Sequence, residues 1–412
     1  MTHKVTILGA GIVGLCTALS LAERGIATRV IDRRAPGRET SYGNAGVISP
    51  WSVIPQAMPG IWRQIPHLMF GAARPLSVHP KVWPRMIPWG LRFLWQGSEA
   101  RVRASADAME LLCGPSIELY RRHLAGTKGA HLITDSLYVH AFRDGSRATL
   151  DSLDYAIRRE KGAEIELIGA DHLRRIEPAL TRDFAAAILV GGQARARSPG
   201  QICDLLAEKA KGLGVEFVTD SAQRIERDGQ GWSVIGRTGR YTSEKVVVAL
   251  GVWSASLLTP LGLRLPLMAE RGYHLEFSEP GVEVNNSVLD VDAKLVASSM
   301  TGGLRLAGQA EFAPIDAPVD PRKQRLLERL GRAMFPELNT TPAQLWMGRR
   351  PSFPDSRPAL GAIAGLDGLY ANFGHSHYGL MMAPKSGEIL ADVVGNRPLN
   401  VDLAPFSVHR FA

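Results

Sequence analysis

Three glycines near the amino terminus constrain this chain more than any other feature. Gly9-Ala10-Gly11-Ile12-Val13-Gly14 follows an apolar run over residues 4–8. Behind it, Leu15, Ala18, Leu19 and Ala22 recur with helical spacing, and Gly25 is placed to end that helix. Residues 27–32 read as a second strand that finishes in Asp32. Strand, glycines, helix, strand and acid in this order describe a βαβ unit that holds a dinucleotide. Gly9 permits the tight turn, Gly11 lets the backbone approach a pyrophosphate, and Gly14 allows close helix–strand packing. The helix N-terminus faces the phosphate charge, and Asp32 is placed to accept hydrogen bonds from the adenosine ribose. Ile12, Val13 and Arg33 flank these positions and are binding candidates with them. The fingerprint alone does not separate FAD from NAD, but the chain carries no second fingerprint for a nicotinamide.

Size and charge narrow the remainder. At ~150 residues per domain, 412 residues suggest two or three domains. Apolar residues make up 45% and charged residues 21%, which excludes wholesale disorder. The net charge of +8 suits solubility or a field for anionic partners, and no Lys/Arg block reaches five residues, so no nucleic-acid arm is expected. Cys16, Cys113 and Cys203 are odd in number and far apart, which indicates neither a disulfide framework nor a metal site. A reducing cytoplasm is the expected compartment. Residues 5–21 imitate a signal peptide but lack a basic n-region and cleavage site, and residues 246–258 are too short to span a bilayer.

Residues 51–95 hold five of the eight tryptophans and many prolines. That composition opposes long helices up to about residue 88 and predicts a folded-over loop, covering a site or touching a membrane surface. Helices are predicted over 98–123, 147–161, 171–177, 199–213, 321–334 and 380–394. Strands are predicted over 215–219, 232–235, 245–250 and 367–374, with strand, turn and strand over 130–142 and a strand-rich stretch over 263–310.

Five separated blocks carry a resemblance. They are the glycines with Asp32; Thr40-Ser41-Tyr42-Gly43-Asn44-Ala45-Gly46 with Ser49-Pro50; residues 246–253; Gly348-Arg349-Arg350-Pro351 with Pro354-Asp355; and Gly374-His375-Ser376-His377-Tyr378-Gly379-Leu380 continuing to Pro384. In this order they resemble the D-amino acid oxidase superfamily of flavoproteins, and within it the D-amino acid dehydrogenases. The resemblance implies an α/β (α+β) fold, with a Rossmann-like FAD-binding domain (1–49, 147–263 and 345–412). Interleaved with it is a mostly antiparallel-sheet substrate domain with an active-site cover (50–146 and 264–344).

It also implies roles. Ser41, Asn44, Ala45, Gly46 and Val47 would lie along the flavin, their small side chains leaving room for the ring. Ala222 would meet the adenine, and Leu250, Gly251 and Trp253 would pack beside the dinucleotide. Gly374, His375, Ser376, His377, Tyr378, Gly379 and Leu380 would approach the flavin through main chain, with a helix N-terminus aimed at the edge that gains negative charge. Arg350 would clamp a substrate carboxylate with its planar fork, assisted by Tyr273, while Arg349 would face away. No cysteine lies near Gly348, where sarcosine oxidases of this superfamily tether FAD, so non-covalent FAD is implied. No lysine lies between Leu263 and Lys294, where some of the oxidases place an oxygen-activating lysine, which leans towards a dehydrogenase.

The implied activity is oxidative deamination of a D-amino acid by hydride transfer from Cα to flavin N5, giving a 2-oxo acid and ammonia. Electrons would pass to a quinone or another acceptor, with peripheral contact on the cytoplasmic face of the inner membrane as an option. The Ser-Tyr-Gly-Asn and His-Ser-His-Tyr variants leave D-proline or a hydroxy-D-proline open as substrate. A tRNA-modifying flavoprotein and a partner-dependent, non-catalytic subunit are the rivals of another class.

Overall fold

A computed structural model describes residues 3–411. The apolar run after Lys4 forms the buried strand Val5–Leu8, at the centre of a six-stranded sheet. In order, that sheet is Ala359–Ala362, Leu369–Phe373, Lys245–Val248, Val5–Leu8, Thr28–Asp32 and Glu216–Thr219. All its neighbours are parallel except the first pair. The helix Ile12–Glu23 buries one side on the sheet and another on the carboxyl-terminal helix Gly379–Val394, so both chain ends share one core. Parallel strands buried on both faces explain the runs Val5–Leu8 and Lys245–Val248, which lack alternation.

The second layer is a ten-stranded, mostly antiparallel sheet. Its main path is Ala343–Ser352, Met268–Phe277, Gly303–Phe312, Leu295–Met300, Ser287–Asp290, Ile133–Phe142, Ala186–Ala196 and Val47–Ile48. One face packs on the helix Arg322–Met334 through Leu275, Phe277, Leu306, Leu327 and Leu330. The other face turns towards the six-stranded sheet, and the space between the two is the cavity described below.

Several expectations are corrected. Residues 51–95 hold the helices Ile61–Phe70 and Trp83–Gln96, each with an internal proline, Pro66 and Pro88. Pro84 sits at the helix start, where its missing N–H removes no bond, whereas Pro66 and Pro88 each remove one; Trp83–Gln96 buries Trp89, and the residues of Ile61–Phe70 are half-buried or exposed. The predicted helix over 98–123 breaks at Gly114-Pro115 into Glu99–Cys113 and Ser116–Leu124. The predicted strand, turn and strand over 130–142 is a short turn followed by one strand, Ile133–Phe142.

The segment boundaries also shift. Ala186–Ala196 and Ala343–Ser352 belong to the ten-stranded sheet, although both were assigned largely to the FAD-binding segments. Conversely, Val102, Met109, Leu112, Tyr120 and Leu124 join the core around Ile12–Glu23 and Gly379–Val394. Gly191-Gly192 interrupts the apolar run of the strand Ala186–Ala196, so its sequence does not show a continuous strand pattern.

Candidate active site

A cavity of about 1290 Å³ runs between the two sheets, larger than the ~300–1,000 Å³ of an ordinary ligand pocket. Its first end is the glycine turn. Gly9 has φ +109, and a Cβ there would stand 2.4 Å from the Ala249 carbonyl oxygen. A Cβ on Gly14 would meet the Gly9 oxygen at 1.9 Å, so Gly14 serves packing and does not line the cavity. A Cβ on Gly11 would find only Ser41 Oγ, at 3.5 Å, which leaves the backbone approachable from the cavity. Ile12 and Val13 line the same end, at the start of a helix with no acidic residue in its first turn. An anionic dinucleotide fits this cradle.

Asp32 lines the cavity and already accepts from the Ala10 N–H at 2.7 Å and the Arg34 N–H at 3.0 Å. Burial raises its pKa, against those two hydrogen bonds. Its carboxylate therefore fixes the glycine turn as well as facing the site. Arg33 stacks on the Trp253 ring at 4.0 Å, and both line the cavity with Ala222, Leu250 and Gly251.

The loop 41–46 is held in ways the sequence did not disclose. Ser41 Oγ accepts from the Ile12 N–H, and Asn44 Oδ1 from the Gly46 N–H. The buried Arg305 donates to the Tyr42 and Asn44 carbonyls and pairs with Glu276. Ser41, Asn44, Ala45 and Val47 line the cavity, whereas Gly46 does not; its Cβ would strike the Ala196 oxygen at 2.6 Å. The room left by Gly43 goes to the Trp346 ring, 2.0 Å from where a Cβ would stand. Gly43 thus also makes room for a protein ring, while Ser41, Asn44 and Ala45 are small residues of the loop that face the cavity.

At the other end, Gly374 to Leu380 all line the cavity, and the helix Gly379–Val394 begins where the sequence placed it. Ser376 adopts φ 50, and its N–H donates to the Pro351 carbonyl, so this turn docks beside Arg350. The His375 ring is buried against Ser386 Oγ, and burial lowers its pKa to about 3, which keeps it neutral and unsuited to proton transfer. His377 Nε2 lies 2.7 Å from Glu270 Oε1. Tyr378 donates from its hydroxyl to the Ile54 carbonyl.

Arg350 stands on the cavity face of Ala343–Ser352, where the register pairs it with Glu270. Its Nη1 donates to Glu270 Oε1 and to the Gln309 carbonyl, both at 2.9 Å. Its Nη2 lies 2.2 Å from where a Cβ on Gly272 would stand, so only glycine admits this pose. Among the described residues Nε and Nη2 make no hydrogen bond, and that edge is available to a ligand carboxylate.

Glu270 is the residue sequence reasoning missed. Burial alone would raise its pKa, but His377, Arg350 and Ser352 outweigh that and hold it at about 2. No local motif announces it, because its partners lie far along the chain.

The same pairing corrects Tyr273. Glu270, Gly272 and His274 share the cavity face with Arg350, Gly348 and Trp346, so Arg271, Tyr273 and Leu275 fall on the opposite one. Tyr273 belongs to the core under Arg322–Met334, and its hydroxyl donates to Glu311 Oε2 at 2.5 Å. Although it contributes to the cavity wall, its hydroxyl is not beside the Arg350 guanidinium. Arg349, on that opposite face, donates through Nε to the Ile315 carbonyl.

The two cover helices close the remaining side. Ile61, Gln64, Ile65 and Leu68 of one, and Met86, Trp89, Gly90 and Phe93 of the other, line the cavity. Trp89 Nε1 donates to the Ser352 carbonyl, tying the cover to the strand that bears Arg350.

Known proteins place this arrangement. The family described as DAO, FAD dependent oxidoreductase, matches residues 4–393. The chain is 34% identical over 419 residues to a D-amino-acid oxidase of Bradyrhizobium diazoefficiens, with 99% of each chain covered. It is 32% identical over 431 residues to a D-amino acid dehydrogenase of Allorhizobium ampelinum, again covering 99% of each. Among solved structures, glycine oxidase from Geobacillus kaustophilus superposes with a TM-score of 0.76 at 21% identity, covering 99% of both chains. L-proline dehydrogenase from P. horikoshii gives 0.76 at 18% identity, covering 100% of this chain and 98% of that one. With its glycine cradle, its carboxyl-terminal helix and full-length relatives of this kind, the chain belongs to the DAO family of FAD-dependent oxidoreductases.

Proposed function

We propose that this enzyme oxidises the Cα–N bond of a D-amino acid, giving a 2-oxo acid and ammonia after hydrolysis of the imino acid. The observation that carries this reading is the open edge of the Arg350 guanidinium in the same cavity as the dinucleotide cradle. Bound FAD supplies a hydride acceptor at N5. Arg350 pairs bidentately with the substrate carboxylate and thereby fixes the direction of Cα–H. Glu270 and the Gln309 carbonyl hold the Nη1 side of the fork, so it meets the substrate already oriented. The main-chain N–H groups opening Gly379–Val394, with the positive end of that helix, stabilise negative charge developing beside them. The cover helices exclude water. With the amine entering neutral, no side chain is required as a general base.

Electron transfer to a quinone or another carrier completes the turnover. The names of the two curated relatives, one an oxidase and one a dehydrogenase, support either oxygen or a carrier as acceptor. The test is a dye-reduction screen of D- and L-amino acids, proline derivatives and sarcosine with the purified holoenzyme. Preferential reduction by primary D-amino acids is expected. A preference for D-proline or hydroxy-D-proline would move the assignment to secondary amines, and exclusive activity on L-isomers would overturn it.

A further inference from the structure

Arg350 and His377 meet on one carboxylate oxygen. His377 Nε2 lies 2.7 Å from Glu270 Oε1, the atom that also accepts from Arg350 Nη1 at 2.9 Å, while Ser352 Oγ donates to Oε2. The imidazole therefore stands within two hydrogen-bond lengths of the guanidinium, and both groups line the cavity. The turn that carries His377 is fixed on the same strand as Arg350. The Ser376 N–H donates to the Pro351 carbonyl, and His375 bridges to Ser352.

This contact decides which ring nitrogen is free. Glu270 is ionised and its oxygens only accept, so His377 Nε2 carries the hydrogen between them. In the neutral ring the lone pair then falls on Nδ1. That nitrogen makes no hydrogen bond among the described residues, yet it is not sealed from the surface, and the side chain is 28% exposed. The His375 ring differs on each point, being buried and bonded to Ser386.

The surrounding charges favour a proton on that nitrogen. From the paired strands, Glu270 and Arg350 face the ring. The adjacent Tyr378 hydroxyl is engaged with the Ile54 carbonyl, and the cavity-lining residues of the two cover helices carry no charge. Once a substrate carboxylate neutralises Arg350, Glu270 is left to stabilise a cation on the imidazole.

An amino acid in neutral solution carries an ammonium, whose nitrogen has no lone pair to assist loss of hydride from Cα. We propose that His377, held by Glu270, accepts the ammonium proton at Nδ1, so that the enzyme takes the zwitterionic form of its substrate. The inference rests on the proposed function and adds the group that frees the amine. One N–H bond of the ammonium breaks, the Nδ1–H bond forms, and the electron pair stays on the amine nitrogen. That pair becomes the second bond of the imine as hydride leaves Cα for the bound flavin. The proton passes from Nδ1 to solvent when the imino acid departs. His377 is thus a catalytic residue and Glu270 a positioning residue.

The experiment follows flavin reduction in the holoenzyme, as kred/Kd for its best D-amino acid, against pH. Between about pH 7 and pH 9 the wild type is expected to stay nearly flat, whereas His377→Gln should climb about tenfold per pH unit, because only the neutral amine reacts there. His377→Ala should show the same slope, and added imidazole should flatten it. Parallel profiles for wild type and variants, with a loss equal at every pH, would overturn the proton transfer. A second arm uses 2-aminoisobutyrate, which has no Cα–H to give up, and isobutyrate, which lacks the amine, as ligands that perturb the flavin absorbance. The amine-bearing ligand is expected to bind wild type at least tenfold tighter and to lose that advantage in His377→Gln. Equal affinity of the two in the wild type would also overturn the proposal. A His377-dependent preference for 2-aminoisobutyrate, without flavin reduction by any D-amino acid, would leave the amine contact standing and overturn the proposed activity instead.

Discussion

Arg350 is held on one side of its fork, by Glu270 and the Gln309 carbonyl on Nη1, and leaves the Nε and Nη2 edge to the cavity. Strand alternation separated it from Arg349, because neighbours on an extended strand face opposite ways, and the observed partners agree. Glu270 stayed hidden, since a lone glutamate in a strand reads as solvated until pairing brings Arg350, Ser352 and His377 around it. Tyr273 was misplaced for the same reason: its face depends on a register that no local pattern contains. If Arg350 clamps the carboxylate, Arg350→Ala should keep its FAD and lose several kcal/mol of transition-state stabilisation, about a hundredfold or more in kcat/KM. Arg350→Lys should also be poor, because an ammonium cannot reproduce the fork. Gly272→Ala should fold normally, since the side chain it displaces is the flexible end of Arg350, yet raise KM sharply. A crippling Arg349→Ala with a mild Arg350→Ala would reverse the assignment.

Among the elements, the fingerprint helix and the carboxyl-terminal helix were legible because glycines bracket regular apolar spacing. The cover was not, because a proline opposes a helix only where its ring removes an interior bond, and frequency does not tell position: Pro84 lies in a helix start, and Pro66 and Pro88 lie within helices. These helices have two apolar sides. Beyond the inner residues that line the cavity, Trp62, Leu91 and Phe70 are 59%, 65% and 75% exposed, with Ile87 and Trp95 beside them. From Thr40 to Ser98 the chain has no acidic residue, while Arg63, Arg74, Lys81, Arg85 and Arg92 are basic. Among the described residues, no helix is long and apolar enough to cross a membrane. Aromatic and basic amphipathic helices of this kind suit the plane of a bilayer surface. The purified protein is therefore expected to co-sediment with anionic vesicles, weakly with neutral ones, and less after Trp62→Ser with Leu91→Ser. Absence of binding to anionic vesicles at low salt would restrict the outer face of these helices to solvent.

For the whole molecule, the consequence of the architecture is thermodynamic. The cavity wall is assembled from Gly9 through Met381, drawing on the six-stranded sheet, the ten-stranded sheet and the cover. A cofactor seated there contacts groups that are together only in the native fold, so it binds the folded chain and not the unfolded one. Such a ligand stabilises by RT ln(1 + [L]/Kd), about 2.7 kcal/mol at a hundredfold excess over Kd. FAD added to apoprotein is therefore expected to raise Tm progressively with its concentration, whereas NAD should not. Asp32→Ala removes an acceptor from the ribose side, and it also frees the Ala10 N–H that holds the glycine turn. FAD affinity should fall by about 1–3 kcal/mol, the range of a hydrogen bond to a charged group. Cys16, Cys113 and Cys203 are buried and none lines the cavity, so no thiol is positioned to tether the ring. Acid precipitation should accordingly leave the yellow chromophore in the supernatant. Flavin retained on the precipitated chain, or a Tm unmoved by FAD at saturating concentration, would contradict non-covalent binding in this cavity.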